Sequence, residues 1–328
     1  MRLRRRLASA AAALALAVLP VPLAAGSAAA AAWRALPDAP QARSEVAAAV
    51  LGGRIALVGG YLADGSSSPR VDLYDPASGR WSRLPDLPQG VDHTMAAAAG
   101  GSLYVMGGHT PSGRGRRAFV LRPGRGWSEL RPLPQARSAG GAAVVGGRVY
   151  VIGGLDLRGG RATRSFSYDI RQGRWRAVPG PPTARDHLGV AALGGRIYAV
   201  GGRTGGGNLD AAEAYDPRSR RWSRLPPLPT ARSGLGAAVA AGLVVTVGGE
   251  GPEGTFPEVE AYDPRARRWR TLPPSPAPRH GVGVAAVGRR VYSLLGGPTP
   301  GLSTSAAVLA LTLPRGGPFR PAEAAGRP

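Results

Sequence analysis

Six tryptophans, Trp33, Trp81, Trp127, Trp175, Trp222 and Trp269, stand 46 to 48 residues apart along the chain. Six glycine pairs keep nearly the same interval: Gly59-Gly60, Gly107-Gly108, Gly153-Gly154, Gly201-Gly202, Gly248-Gly249 and Gly296-Gly297. Residues 33–314 make six units of 47. A period of this size describes an array of one supersecondary unit, each burying its faces against its neighbours.

Each unit reads as four short strands. Strand a is small and apolar, as in Ser138 to Val145, and ends at a Gly146-Gly147 hairpin turn suited to positive φ. Strand b, such as Arg148 to Ile152, runs into the glycine pair. A variable loop leads to strand c, such as Val71 to Tyr74, and a tight turn to strand d with the tryptophan. Four-stranded antiparallel units at this period make propeller blades. The expected fold class is therefore all-β: a six-bladed β-propeller with four antiparallel strands per blade. Trp33 sits in a strand d with no strands a to c before it, and the last unit (280–312) has a to c with no tryptophan after them. The N-terminal strand at Trp33 is thus expected to close the last blade and to remove two open sheet edges.

The unit resembles the kelch repeat. Blade three carries Val149-Tyr150-Val151-Ile152-Gly153-Gly154, Tyr168-Asp169 and Trp175; blade four carries Ile197-Tyr198-Ala199-Val200-Gly201-Gly202, Tyr215-Asp216-Pro217 and Trp222. Three kinds of departure stand out. Ala56 and Val245 replace the strand-b tyrosine of blades one and five, and Leu121-Arg122 replaces the Tyr-Asp pair of blade two. Blade six has one extra residue between Tyr292 and its glycines, which suggests a β-bulge. Tryptophans and repeat tyrosines are expected to pack blade against blade.

Composition narrows the chemistry. The chain has no cysteine, which excludes disulfides, Cys-zinc sites and thiol catalysis. It also closes the kelch-type copper radical oxidase reaction, which needs a tyrosine–cysteine cross-link. Residues 1–32 read as a secretory signal peptide: Arg2, Arg4, Arg5 and Arg6, an apolar alanine-rich run, then small residues at 24–30. The protein is expected to be secreted or held in the cell envelope, with no transmembrane segment after cleavage. Residues 33–314 are the propeller and 315–328 a disordered tail. Cleavage would lower the net charge from +22 to +18. All the basic residues are arginine, a compositional bias, and an exported protein meets no genomic DNA, so no nucleic-acid partner is inferred.

In an up-and-down blade the d–a and b–c loops share one face. At the d–a junctions the first aligned position holds Arg43, Val91, Arg137, Arg185, Arg232 and Arg279. The second holds Ser44, Asp92, Ser138, Asp186, Ser233 and His280, and the third Glu45, His93, Ala139, His187, Gly234 and Gly281. His109, Arg203 and Glu250 join them from the b–c loops. The arginines read either as repeat consensus, bonded to neighbouring carbonyls, or as an anion-binding crown. Asp92-His93 and Asp186-His187 suggest acid–base chemistry, but neighbours in a strand point to opposite sides. Histidines scattered over blades two, four and six do not suggest a compact metal site, and no metal or cofactor is expected.

The candidate ligand-binding residues are Arg43, Asp92, His93, Arg137, Asp186, Arg185, His187, Arg203, Arg232, Glu250, Arg279 and His280. The implied function is an exported binding module whose partner is a protein, a peptide or a small anionic ligand. One alternative is a mutarotase or epimerase acting on an acidic sugar, by resemblance to exported six-bladed kelch proteins, with Glu250, His187, Arg185 and Arg232 as its candidates. Another is a purely structural envelope protein. The opposite face collects arginines in its c–d and a–b turns and suits docking onto anionic envelope polymers.

Overall fold

The computed structural model of the protein describes residues 31–314. Its strands pair antiparallel throughout, and no helix occurs among the described residues. Six four-stranded sheets follow one another in sequence order. Blade one, for example, runs Ala47–Leu51, Arg54–Val58, Val71–Asp75 and Arg80–Arg83. In blade six, Ala32–Leu36 pairs with Val308–Thr312, with Trp33 opposite Leu311. The ring is closed by the N-terminal strand, as expected. The expected leader lies outside the described residues except for Ala31 and Ala32, the latter already paired with Thr312. The expected tail lies outside them too.

The a strands form the inner ring, each beside the a strands of the two adjacent blades. Convergence there explains their small residues. A Cβ at Gly141 would come within 2.4 Å of Val190, and one at Gly236 within 2.3 Å of Val284, so bulk on one blade forces glycine on the next.

The apolar core lies between blades, in six layers. Tyr292 of blade six and Tyr74 of blade one share one, and Tyr150 and Tyr215 of blades three and four another. A strand-b tyrosine meets the strand-c tyrosine of the next blade at 6.1–6.5 Å in four of the six interfaces. The strand-c ring then stacks tilted on its own blade's tryptophan, as Tyr74 does on Trp81 at 4.9 Å. Each tryptophan Nε1–H donates to a backbone carbonyl of the preceding blade: Trp222 to Pro179, Trp269 to Pro226 and, across the closure, Trp33 to Pro273. The two interfaces without a tyrosine pair account for departures from the repeat. Ala56 of blade one and Leu121 of blade two lie in one layer, and Val245 of blade five and Leu311 of blade six in another. A lost tyrosine on one blade is matched by an aliphatic residue on its neighbour.

The expected bulge in blade six is absent. Leu295, at φ 60°, takes the place of the first glycine, and its N–H bonds Ala307 as that of Gly107 bonds Arg117. Gly296 takes the second place, bonding Arg43 as Gly108 bonds Arg137. The spacing is regular, and the glycine pair is displaced by one residue because a leucine occupies a left-handed position.

Candidate functional site

The third positions of the six d–a junctions form a ring at the channel mouth. Glu45, His93, Ala139, His187, Gly234 and Gly281 all have φ between 49° and 69°. This left-handed turn aims each N–H at the blade before it: His93 donates to Glu45, Ala139 to His93, His187 to Ala139, Gly234 to His187 and Gly281 to Gly234. Val46 N–H completes the circuit by donating to Gly281. A side chain in this conformation costs about 1–2 kcal/mol relative to glycine. Blades five and six use glycine there, whereas blades one to four carry Glu45, His93, Ala139 and His187 at that cost. The second positions bridge to the first residues of the b–c loops, Asp92 to His109, Asp186 to Arg203 and Ser233 to Glu250, which stacks a second polar tier over the ring.

The turn brings together residues that the chain keeps apart. His93 Nε2 stands 3.1 Å from His187 Nε2 and 3.3 Å from Glu45 Oε2. His93 Nδ1 lies 2.6 Å from Asp92 Oδ1, and His187 Nδ1 lies 2.5 Å from Asp186 Oδ1. The left-handed residue ends the strand geometry, so each imidazole folds back on its neighbour's carboxylate. The expectation that these adjacent pairs diverge is therefore corrected. So is the expectation of scattered histidines, because ring closure brings blades two and four to the same mouth.

The two carboxylates are themselves held in place. Asp92 accepts from Ser67 Oγ–H and lies 3.3 Å from His109 Nδ1. Asp186 accepts from Arg161 Nε and Arg203 Nε. Arg203 also reaches Glu250 Oε1 at 3.0 Å. On the other side of the mouth, His280 Nδ1 lies 3.3 Å from Glu45 Oε1 and 3.5 Å from Glu250 Oε2, and its Nε2–H donates to Thr299 O. Gly281 is required here, since a Cβ would stand 2.7 Å from the Glu45 backbone nitrogen and 2.4 Å from its Oε1. Beneath the ring lies a cavity of about 80 Å³, lined by Glu45, His93, Ala139, His187 and their strand-a successors.

Charge is divided unequally between the histidines. Burial works against the charge on His93, but Glu45 and Asp92 outweigh it and raise the imidazole above its usual range. His280 is raised against burial by Glu45 and Glu250. His187 is lowered, chiefly by burial and by the nearby His93, despite Asp186. Burial also opposes the charge on Glu45 and Asp92. His93, His280 and His187 nevertheless hold Glu45 well below the carboxylate range, and His109, His93 and Ser67 hold Asp92 down to about 2. His187, donating through Nδ1, turns its Nε2 lone pair toward His93 and accepts there from Arg203 Nη2 at 3.2 Å.

A kelch-repeat domain model, described as the KLHDC2/KLHL20/DRC7 Kelch-repeats domain, matches residues 123–297, and a Kelch motif model matches residues 42–88. The chain belongs to the kelch-repeat family. Kelch propellers generally serve as protein-binding modules. No curated protein matches this one. No helix among the described residues is long and apolar enough to cross a membrane.

In this kelch propeller the first-position arginines do not form a crown. Arg43, Arg137, Arg185, Arg232 and Arg279 are at most 3% exposed. Arg185 donates to the carbonyls of Gly201, Thr183 and Ala199 and pairs with Glu213 at 2.6 Å. Arg232 repeats the arrangement with Gly248, Thr230 and Glu260, and Arg43 pairs with Asp72. Their forks tie strand b to strand c within a blade, which removes them from the set that meets a ligand. The guanidiniums at the mouth instead belong to Arg161 and Arg203, with side chains 35% and 37% exposed. The site thus joins His93, His187, Asp92, Asp186, Arg203, Glu250 and His280 and excludes the five arginines. Glu45 and Arg161 complete it. Glu45 was visible as the third-position neighbour of the histidines, whereas nothing in the repeat marks Arg161.

Proposed function

We propose that this protein is an exported kelch module that binds an anionic partner, a protein, peptide or small ligand, on its d–a/b–c face. One observation carries the reading: at this mouth, and above a backbone ring that fixes its floor, two partly exposed guanidiniums are held in place by buried Asp186. Arginine forks suit carboxylate and phosphate groups. The basic residues at 2–6 followed by an apolar run support export. The opposite face supports a second contact with anionic envelope polymer, since Arg80, Arg122, Arg171, Arg218 and Arg265 of its c–d turns are exposed.

The test is binding to immobilised acidic peptides and anionic glycans at low and high salt, with wild type and an Arg161→Ala/Arg203→Ala variant. Binding that falls with salt and drops at least tenfold in the variant supports the assignment. Binding indifferent to the variant overturns the assigned face.

A second reading, mutarotation of an acidic sugar, gains from the two Asp–His pairs, which supply acid–base groups not apparent in the linear order. The cavity argues against it, because enclosed ligand sites generally measure about 300 Å³ or more. Following sialic-acid anomer equilibration by NMR decides it: no acceleration removes this reading.

A further inference from the structure

We propose that Glu45, His93 and His187 form a binding site for one divalent first-row transition cation at the channel mouth. The inference goes beyond partner recognition and does not depend on it.

The first support is distance. Two donors at about 2.0–2.1 Å from a tetrahedral ion stand about 3.3–3.4 Å apart. His93 Nε2 lies 3.1 Å from His187 Nε2 and 3.3 Å from Glu45 Oε2. All three donor atoms fall within 4.8 Å of one another.

The second is orientation. Metal-binding imidazoles commonly hand their other N–H to a carboxylate, which fixes the ring and its tautomer. Both histidines do so, through Asp92 and Asp186. Glu45 has its own positioning residue, because His280 engages Oε1 and leaves Oε2 turned toward His93. A second grouping, Asp92, His93 and His109, fits less well. Its histidines share Asp92 through Nδ1, and His109 Nε2 is engaged by Ser138. In the first grouping each histidine has its own carboxylate. The contact on His187 Nε2 comes from Arg203 Nη2 at 3.2 Å, a part-exposed side chain that has to turn outward as the ion enters.

The third is the backbone. The ring needs only a left-handed turn at each junction, and glycine at 234 and 281 provides it. Blade three carries Ala139 there at the same backbone cost with no polar group, while blades one, two and four place ligating side chains there, and strain of this kind gathers at functional sites. These three side chains face one another over a cavity of about 80 Å³, which leaves room for a water or small ligand on the ion's remaining position. Two imidazoles and a carboxylate suit zinc, iron(II), cobalt(II) or nickel(II) better than calcium or magnesium.

The test uses the full chain, stripped with chelator and titrated with Zn²⁺ by calorimetry, and separately with Co²⁺ followed in the visible. The expected result is one equivalent of Zn²⁺ per chain and cobalt d–d bands. His93→Asn and His187→Asn, which keep a residue tolerant of positive φ, should each abolish the bands. Asp186→Asn should weaken binding by about 10–100-fold without changing the stoichiometry. Glu45→Gln, nearly equal in size, guards against misfolding as an explanation and should shift the cobalt spectrum. Absence of stoichiometric binding by wild type overturns the proposal. So does Zn²⁺ affinity that persists in a folded His93→Asn/His187→Asn variant. The Arg161→Ala/Arg203→Ala variant removes two partners of Asp186 and the Arg203 contact on His187 Nε2, so its Zn²⁺ affinity should change. It keeps all three ligands, however, and should still bind one equivalent while losing the anionic partner, so the two assignments fail separately.

Discussion

Arg185 and Arg137 occupy the same position of the repeat, yet their burial is compensated differently. Arg185 faces Glu213. At the equivalent place in blade three stands Phe166, and Arg137 lies over its ring at 5.1 Å with one hydrogen bond, to Arg164 O. Burial lowers the Arg137 guanidinium to about 10. Arg185→Met would leave a buried carboxylate unpaired and should cost about 3–5 kcal/mol in urea unfolding. Arg137→Met leaves no such charge behind and should stay within about 1 kcal/mol of wild type. Equal losses would show that the packing of the stem, and not the pairing, sets the energy.

At the level of strands and turns, the exceptions to the repeat occur in pairs. Ala56 and Leu121 share a layer in which other blades place two tyrosines. Ala56→Tyr alone should overpack that layer and cost about 1–3 kcal/mol. Adding Leu121→Tyr should recover part of the loss, with a coupling above about 0.5 kcal/mol in a double-mutant cycle; strict additivity would contradict the pairing. The c–d turns carry a second regularity. Asp169 and Asp263 accept backbone N–H groups two and three residues on. Burial opposes the charge, most of all at Asp263, but these bonds, with Arg148 and Arg270, together outweigh it and hold both carboxyls below the usual aspartate value. A carboxyl depressed in the folded state stabilises fully above its unfolded pKa of about 3.9 and loses that contribution as the pH falls through the folded value. The denaturant midpoint should therefore drop on acidification below about pH 4, and less steeply in an Asp169→Asn/Asp263→Asn variant.

On the scale of the whole molecule, stability is a property of the closed ring. Each core layer belongs to two blades, so an open ring exposes an apolar face at each end. Deleting the chain through Leu36 removes the strand that covers Val308–Thr312 together with the Trp33 bond to Pro273. The truncated protein should lose its single cooperative melt and self-associate through the bared edge, as read by calorimetry and light scattering. A monomeric variant with unchanged melting would mean that the closing strand is dispensable.

Much of this was legible in the chain, because a repeat states its local structure six times. The period set the blade number, the tryptophans the strand order, and the unmatched strand at Trp33 the closure. The displaced glycines of blade six misled, since Leu295 takes a left-handed conformation that spacing alone assigns to glycine. The functional mouth was legible only as a roster of positions. That the arginines turn inward follows from strand-c residues such as Glu213 and Glu260, whose alignment with them appears only once strands pair. That His93 and His187 meet follows from ring curvature, which brings together residues 94 positions apart. Local pattern is enough to decide which strands form, because hydrogen bonding and side-chain alternation act between near neighbours. Which side chains share a site was decided by closure alone, because only the finished ring sets the distance between one blade and another.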